Sequence, residues 1–356
     1  MLIKFGPFVD ANTNTLPFIN LAAEKNFDNM LLQDGDIIIA DTAEDETVGK
    51  ATEIINTGNR KIVSGLHTIA CRPKIKMIPT YLGFYFNSEA YHKQLYSLMQ
   101  GIKVLSISKS NIETTIIKYP CIGEQAKICS MLYLIEKRIA KQQQLIEHLK
   151  KYKRGVEASF FYIKQHACEN ENQGLVRVPL GNIVTINPKT PALPEHFIYI
   201  DLESVDSGRL QTLKHINREN APSRAQRVLA DGDVLFQMVR PYQKNNYYFR
   251  DIFDSPVVAS TGYAQIRCQK CDPVFVFEQI SSDYFSQEAM LRSTGTGYPA
   301  INSDGLAEIP FFLPPLSEQK RIGKFLSLLS SKTESEKRKL DIFYSLKAAL
   351  LQQLFI

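Results

Sequence analysis

The amino-acid sequence predicts a mixed α/β protein built as an internal duplication, in which each half is a globular unit followed by one long helix. A short phrase occurs twice, as YPCIGEQAKICS at 119–130 and as PPLSEQKRIGKF at 314–325. The same offset of 194 residues relates Phe161 to Phe355, so the duplication extends through the helices. A period this long excludes the short units of solenoids and propellers.

The two globular units share matching strand and helix patterns. In each unit the dipeptide Asp-Gly precedes an apolar run, which is the pattern of a tight turn leading into a buried strand. Helical periodicity follows later in each unit. The predicted strands cover 36–41 and 233–239, and the predicted helices cover 88–100 and 282–293.

The stretches after the repeated phrase carry apolar residues at spacings of three and four, which is typical of a helix that packs along another helix. Chain order then predicts an antiparallel coiled coil, with helices of about 36 residues and roughly 54 Å, that holds the two globular units apart. The first series is Ile128, Leu132, Ile135, Ile139, Gln142, Leu145, Leu149, Tyr152, Val156 and Phe160, and the second is Ile322, Leu326, Leu329, Thr333, Glu336, Leu340, Phe343, Leu346, Leu350 and Leu354.

These patterns divide the chain into globular domains at 1–118 and 166–313 and helical regions at 119–165 and 314–356. A length of 356 residues agrees with two domains, because it exceeds what one hydrophobic core usually supports. The second domain opens with a segment at 177–196 that has no counterpart in the first. We therefore expect a missing strand, and an unpaired sheet edge, in the first domain.

Composition is that of an ordinary folded, soluble protein, with 44% hydrophobic and 22% charged residues. The sequence has no apolar stretch of 18 residues and no export-signal pattern after Met1, so we expect a cytoplasmic protein that does not enter a membrane. The excess of Lys and Arg lies in the helical stretches, with 9 against 5 acidic residues at 119–170 and 8 against 4 at 316–356. Solvated helix faces account for most of that excess.

The sequence shows none of the motifs that catalysis or nucleotide binding would require. It lacks a Gly-x-Gly-x-x-Gly loop, a nucleophile elbow and a His-Glu-x-x-His pair. Six cysteines do not make a disulfide framework in so long a chain, and Cys268 with Cys271 has no second pair to complete a zinc site. We therefore expect a non-catalytic protein without a cofactor or a metal.

Residues 209–250 hold eight Lys or Arg residues against three acidic ones, with tyrosines and asparagines between them. Such cations hold phosphates, and Arg and Asn read base edges, so the segment is a candidate for contact with DNA or RNA. A solvated surface above some core tyrosines is the alternative. The first globular domain has only scattered basic residues.

The whole arrangement resembles the DNA specificity subunit of type I restriction-modification systems. AEDETVGKATEI, SGLHTIACRPK and QGIKVLSISKSNI are similar to one target-recognition domain of that family, and GDVLFQMVRPYQKN with GTGYPAINSDGLAEIPFFLPPLSEQKRIG to a second. Residues 124–161 and 318–355 are similar to its two helical regions.

The resemblance implies a non-catalytic subunit that binds double-stranded DNA in a sequence-specific manner. Its partners would be two modification (methyltransferase) subunits and the ATP-driven restriction subunits. Each recognition domain would read one half of a split, asymmetric site, with the spacer set by the coiled coil. Two other interpretations stay open: a coiled-coil scaffold that does not touch DNA, and a truncated, inactive specificity subunit.

Basic, aromatic and loop residues of both domains are the expected DNA contacts. In the second domain these are Arg224, Arg240, Lys244, Tyr247 and Arg250, with Thr296 and Tyr298 of the GTGY loop. In the first domain they are Thr47, Lys50, His67 and Lys103.

Overall fold

The computed structural model describes residues 6–18, 30–43, 47–101, 103–161, 176–206 and 208–355. The chain forms two compact units. Unit 1 comprises Met1–Gln144 with Lys337–Ile356, and unit 2 comprises Leu145–Glu336. Each unit therefore combines a globular portion with a segment of both long helices.

Unit 1 begins with the strands and short helices β1 (Phe8–Asp10), β2 (Ile37–Ala40), β3 (Thr42–Ala43), β4 (Ala51–Ile55), β5 (Thr68–Cys71), α1 (Tyr81–Phe86), α2 (Glu89–Tyr96), β6 (Leu105–Ser106) and α3 (Lys109–Glu113). The first long helix, α4 (Ile122–Phe161), follows. The main sheet has the order β1-β4-β2-β5, in which β1 is parallel to β4 and the other pairs are antiparallel. A separate ladder joins β3 to β6.

Unit 2 contains β7 (Val176–Pro179), β8 (Val184–Ile186), β9 (His196–Ile200), β10 (Val205–Asp206), β11 (Arg209–Leu210), β12 (Lys214–Asn217), β13 (Ala225–Val228), β14 (Val234–Gln237), β15 (Tyr247–Tyr248), β16 (Val257–Ser260), β17 (Tyr263–Cys268), α5 (Pro273–Ile280), α6 (Asp283–Leu291), α7 (Ser303–Ala307) and β18 (Pro310–Leu313). The second long helix is α8 (Leu316–Leu354). Two four-stranded sheets have the orders β12-β9-β16-β13 and β15-β14-β17-β8. Shorter ladders pair β18 with β7 and β10 with β11.

The strands and helices predicted from the repeated patterns are confirmed. Gly35 and Gly232 both have positive φ, 88° and 85°, which a residue without a Cβ adopts at no steric cost in the turns before β2 and β14. Helices α2 and α6 are capped by equivalent serines, because Ser88 Oγ accepts from Tyr91 N and Ser282 Oγ accepts from Phe285 N.

A carboxylate buried behind each turn is held by an equivalent arginine. Asp36 accepts two hydrogen bonds from Arg72, with Nε to Oδ1 at 2.8 Å and Nη2 to Oδ2 at 2.7 Å. Asp233 accepts the same two bonds, at the same lengths, from Arg267. This bidentate geometry is the strongest form of the ion pair, and it locks the turn to the neighbouring strand in both units.

A glutamine from the repeated phrase anchors each long helix to its globular portion. Gln125 donates to Pro120 O at 2.9 Å and accepts from Ile78 N at 3.1 Å. Gln319 donates to Pro314 O at 2.7 Å and accepts from Asp272 N at 2.9 Å. All partners are related by the offset of 194 residues, so the duplication holds down to individual hydrogen bonds.

Within unit 1, the two long helices run antiparallel. Near its start, α4 shares the core with the end of α8, where Leu132 and Phe355 are both buried. Further along α4, Glu136 forms an ion pair with Lys347 and Gln143 donates to Tyr344 at 2.7 Å. Residue numbers rise on one helix as they fall on the other.

Within unit 2, the order is again antiparallel. Phe161, at the end of α4, lies in the core with Ile322 and Leu326 of α8. Earlier on α4, Lys153 contacts Glu278 of α5 at 2.7 Å, and Glu278 accepts from Ser330 of α8 at 3.4 Å. The predicted antiparallel pairing of the helices is confirmed in each unit.

The predicted heptad series is wrong in the middle of α4. Leu145 and Tyr152 are exposed, whereas Ile146 and Glu157 are buried and Lys153 is half-buried. Leu346 of the predicted series on α8 is also exposed. A straight helix repeats every 3.6 residues, so a strict seven-residue pattern moves off the buried face over a few turns.

The unit 2 segment without a counterpart forms strands β7 and β8. They pair with β18 and with the outer edge of β17. Among the described residues of unit 1, no strand takes either position. Over the same described ranges, no helix combines the length and the apolar character that crossing a bilayer would need.

Candidate nucleic-acid interface

Two loops of unit 2 meet at the end of β14. The 294–300 loop is closed by reciprocal backbone bonds between Thr294 and Ala300, at 2.9 and 3.0 Å. The 238–246 loop is joined to it by a bond from Arg240 N to Pro299 O at 2.7 Å and from Ile301 N to Met238 O at 3.0 Å. Backbone contacts alone therefore hold the two loops side by side.

The Arg240 guanidinium lies over the ring of Tyr298, 4.2 Å from its centroid. This is a favourable cation–π distance, and Tyr298 remains 70% exposed. Arg240 adopts a left-handed backbone with φ of 54°, which turns the chain at this point. Its Nε is buried and makes no hydrogen bond to the described residues. The pair thus presents a flat cation stacked on an exposed aromatic ring.

Lys244 and Thr296 belong to the same two loops, and Arg224 lies at the same end of the sheet. Lys244 also has a left-handed backbone, with φ of 55°, and forms an ion pair with Asp283. Thr296 is exposed within the 294–300 loop. Arg224 is exposed, and its carbonyl accepts a hydrogen bond from Thr261 N. Gly262, which follows Thr261, accepts one from Met238 N. These two bonds place Arg224 near the start of the 238–246 loop.

Tyr247 and Arg250 are the remaining predicted contacts of unit 2. Tyr247 is on β15, half-buried against the core beneath β14, and burial raises its pKa. Arg250 is exposed beside Asp231, with Nε 3.3 Å from Oδ1, at the beginning of β14 rather than its end. Tyr247 thus directly follows the 238–246 loop with its side chain packed on the core, and Arg250 lies at the opposite end of β14 from the paired loops.

Asn246, one of the asparagines between the basic residues of 209–250, is buried. Its Oδ1 accepts from Gln237 N at 2.9 Å, and the Gln237 side chain bonds Gln243 at 2.8 Å and accepts from Asn245 N at 3.0 Å. The side-chain amides of Gln237 and Asn246 therefore hold the 238–246 loop in place by hydrogen bonds from its buried side. Asn187 has a similar role: it exchanges bonds with the Gln265 backbone and donates to Ser303 Oγ at 2.9 Å. The sequence does not single out these positioning residues, because an amide in a loop gives no signal of its orientation.

The described residues of unit 1 repeat the backbone bonds that close the 294–300 loop and join it to the end of the strand. Gln100 and Ser106 exchange backbone bonds at 2.9 and 2.8 Å, as Thr294 and Ala300 do, and Ser106 pairs with Thr42 of β3. Lys103 is exposed in this loop. Ile107 N donates to Asp41 O at 2.8 Å, as Ile301 N does to Met238 O.

The other predicted contacts of unit 1 lie at the same end of β2. His67 is 81% exposed, and its carbonyl accepts from Asp41 N at 3.3 Å. Thr47 and Lys50 close a turn through a 3.2 Å bond from Lys50 N to Thr47 O, and the Lys50 carbonyl accepts from Ala40 N. All four predicted residues of unit 1 are thus gathered at one end of the sheet.

The two sites differ in the side chains that they present. The positions equivalent to Arg240 and Tyr298 are Ala43 and Val104, so unit 1 has no stacked arginine there. Its cations come instead from Lys50 and Lys103. A shared framework with different exposed groups is suited to recognising two different sequences.

The described residues contain no group of three or more His, Cys, Asp or Glu side chains placed to hold a metal ion. Cys271 donates through Sγ to Ile183 O at 3.6 Å and is buried in the core of unit 2. Its thiol is a structural group in that core.

The model of the type I restriction modification DNA specificity domain matches residues 237–342. These residues run from the end of β14 through the 294–300 loop into α8. They include Arg240, Lys244 and Tyr298.

Two curated proteins of Methanocaldococcus jannaschii are similar over most of the chain. The type I restriction enzyme MjaVIII specificity subunit is 23% identical over 281 residues, which is 73% of this chain and 66% of that protein, just under two thirds of its length. The putative type I restriction enzyme MjaX specificity subunit is 22% identical over 350 residues, 90% of this chain and 77% of that protein.

Solved structures share the fold. A chain from a structural study of type I restriction-modification complex assembly and conformational transition aligns over 98% of this chain and 90% of its own, with 17% identity and a TM-score of 0.56. The type I restriction-modification S subunit from M. genitalium aligns over 98% and 88%, with 14% identity and the same TM-score. The chain is thus similar in sequence to type I restriction enzyme specificity subunits, and its fold is that of the solved type I restriction-modification chains.

Proposed function

We propose that the chain is the subunit that reads DNA sequence for a type I restriction-modification complex. Each unit contacts one half of a split, asymmetric site through its paired loops, and the long helices set the spacer between the halves. The observation that carries the proposal is the duplicated loop framework, on which unit 2 presents Arg240 stacked on Tyr298 and unit 1 presents Lys50 and Lys103.

The exposed groups match the two tasks of DNA recognition. Lys and Arg side chains at the rim hold phosphates and make binding steeply dependent on salt. An arginine fixed by stacking can donate two parallel bonds to guanine, which is the most common specific base contact in the major groove. Arg224, Lys244 and Thr296 would position the duplex around Arg240.

The chain itself has a non-catalytic role in this proposal. Methyl transfer and ATP-driven cleavage belong to modification and restriction subunits, and the chain brings them to DNA in the cytoplasm. A pair of apolar side chains on each helix supports docking of two identical partners: Met131 and Leu134 on α4, and Phe325 and Leu328 on α8. The offset of 194 relates both pairs, and Leu134 and Leu328 are 58% and 59% exposed.

Co-expression with the methyltransferase subunit of its own system, followed by genome-wide mapping of methylated adenines, tests the function. We expect methylation confined to one bipartite sequence, and no such pattern from the methyltransferase subunit alone. The purified complex should be retained on duplex DNA at low salt and released as salt rises. A scaffold that does not touch DNA would give neither the methylation pattern nor salt-dependent retention.

The helix surfaces give a second expected result. Leu134→Glu and Leu328→Glu each place a charge in an apolar contact, so each should reduce the complex from two methyltransferase subunits to one, and the double variant should bind none. The mass of the purified complex, measured by light scattering, reports the stoichiometry. Gln144→Glu, an exposed change further along α4, is the matched control and should keep two subunits. Two bound subunits in the double variant would rule out these surfaces.

A further inference from the structure

Strand β13 of unit 2 carries an arginine to which the proposed interface gives no role. Arg227 lies on this edge strand of the β12-β9-β16-β13 sheet, where it is paired with Ala259. Residues paired in this way point to the same face of a sheet. Ala259 is fully buried in the cluster that contains Leu235 and Tyr263. The side chain of Arg227 therefore extends from the face of the sheet that carries this cluster, and it is half-buried.

The guanidinium of Arg227 has no partner among the residues that the structure describes. Its Nε is buried and makes no hydrogen bond to them. Burial lowers the pKa of Arg227, and no carboxylate in the described part of the chain counteracts that effect. A cation in such a position destabilises the folded state, because it has lost water without gaining a counter-charge.

A carboxylate that comes close to β13 is already engaged by another arginine. Gln265 Nε2 donates both to Val228 O at 2.9 Å and to Asp233 Oδ2 at 2.7 Å, so Asp233 lies near the strand. Asp233 also accepts two hydrogen bonds from Arg267. The fold thus provides a counter-charge for Arg267 and leaves Arg227 without one.

A β-bulge sets the direction of the Arg227 side chain. The register of β13 against β16 shifts between Ala225 and Arg227, which makes Gln226 the extra residue. Regular alternation would put Arg227 on the same face as Ala225. Instead, Val228 joins Ala225 in the cluster around Phe197, and Arg227 turns to the other face. Bulges recur beside functional sites, where they re-aim a side chain in this way.

Strand β13 begins beside the 238–246 loop of the candidate interface. Arg224, immediately before the strand, accepts from Thr261 N at 2.8 Å, and Gly262 accepts from Met238 N at 3.0 Å. Arg227 follows Arg224 by three residues, which span about 10 Å of strand or less. Each strand of a duplex presents a phosphate about every 3.4 Å along the axis. A duplex held at Arg224 therefore has phosphates within reach of Arg227.

We propose that Arg227 binds a backbone phosphate in the DNA half-site that unit 2 contacts, an inference that rests on the proposed function. The phosphate supplies the counter-charge that the described protein does not, and it accepts charge-assisted hydrogen bonds. Such a contact positions the duplex and carries no sequence information. Arg227 thus lowers the stability of the protein alone and raises the affinity of the complex for DNA.

Arg227→Met keeps an extended apolar stem and removes the charge, so stability and DNA binding should change in opposite directions. The unfolding temperature of the purified full-length protein should rise by about 2 °C or more, because an uncompensated charge is removed. Affinity of the complex with its methyltransferase subunits for the cognate duplex should fall roughly tenfold at about 0.1 M salt. The slope of log affinity against log salt should become shallower by about 0.9.

A neutral methylphosphonate, placed at one backbone position at a time, identifies the phosphate. At one position in the unit 2 half-site it should weaken wild-type binding roughly tenfold and Arg227→Met binding less than about twofold. Elsewhere it should affect both proteins equally. Arg218→Met is the matched control, because this exposed arginine follows β12 at the opposite edge of the same sheet. It should change DNA affinity by less than about twofold and leave the unfolding temperature unchanged.

The outcomes separate this inference from the proposed function. A lower unfolding temperature in Arg227→Met would show that the guanidinium is partnered within the protein, and unchanged DNA affinity would show that it does not meet DNA. Relaxed specificity at one base pair would make Arg227 a base contact. Each of these results overturns the inference and leaves the proposed function intact. A wild-type complex that does not bind duplex DNA overturns both.

Discussion

Arg240→Ala should weaken binding of the complex to its cognate duplex by on the order of 1–3 kcal/mol and relax specificity only in the half-site read by unit 2. The guanidinium is fixed by Tyr298 at 4.2 Å and by a left-handed backbone, so its two donors are positioned before DNA arrives. Competition binding with duplexes that carry single base changes across both half-sites measures the effect.

Arg250→Ala is the matched control for Arg240→Ala. Arg250 is also an exposed arginine near a tyrosine, Tyr248, but it lies at the other end of β14 and is paired with Asp231. Its removal should cost little and should not change the preferred sequence. If Arg240→Ala weakens binding equally for every duplex and lowers its salt dependence, Arg240 contacts a phosphate rather than a base. Tyr298→Phe should keep the stacking and the specificity, and Tyr298→Ala should not.

Lys153→Met should lower the free energy of unfolding of unit 2 by about 3 kcal/mol, because it leaves buried carboxylates without their cation. Lys153 Nζ lies 2.7 Å from Glu278 and 3.3 Å from Glu157, and both carboxylates are largely buried. Burial by itself lowers the pKa of Lys153, but the two carboxylates outweigh it and leave the pKa raised. Urea denaturation followed by hydrogen exchange in α5 measures the loss.

The deficit of Lys153→Met should shrink as the pH falls. Burial raises the pKa of Glu157 above its ordinary value of 4.5, and Lys153 opposes that rise. Without the lysine, the folded state holds the Glu157 proton to higher pH than the unfolded state does. Stability is therefore lost as the pH rises above about 4.5 and regained as it falls. Lys150→Met, an exposed lysine one turn earlier, should change stability by less than about 0.5 kcal/mol at any pH. A pH-independent deficit would contradict the assignment.

Much of the fold could be predicted because the duplication repeats local signals. Asp-Gly turns before apolar runs indicated β2 and β14, and serine-led periodic segments indicated α2 and α6. The repeated Glu-Gln of the shared phrase marked the start of both long helices. Each signal depends on residues a few positions apart, which is the range over which sequence patterns are informative.

The middle of the helices could not be predicted in the same way. The spacing of Leu145 and Tyr152 predicts that both side chains are buried between the helices. The structure instead buries Glu157 and half-buries Lys153, which contacts Glu278 of α5. That carboxylate comes from a distant part of the chain. A charged side chain is buried only where it has such a partner, and a partner that is distant in sequence leaves no local pattern.

The candidate site was predicted in part. The basic and aromatic residues of the sequence predict Arg240 and Tyr298 as contacts, and these two side chains stack in the structure. The same reasoning included Arg250, which lies at the other end of β14, and Tyr247, whose side chain packs on the core. Nearness along the chain shows neither the end of a strand at which a residue lies nor the burial of its side chain. The buried amides of Gln237 and Asn246 could not be assigned a role, since only the folded loop shows what they bond.

The reciprocal bonds that close the 294–300 loop and its counterpart at 100–106 join main-chain atoms of the two residues that begin and end each loop. Side chains inside the loops are therefore not needed for closure. Residues 296–298 and 103–104 can change chemistry while the scaffold stays intact, so a library randomised at these positions should yield a large fraction of folded proteins. Gly295 and Gly101 must be kept, because both have positive φ and a Cβ on Gly101 would clash with Val104 O. New sequence preferences could then be selected without redesigning the protein that carries them.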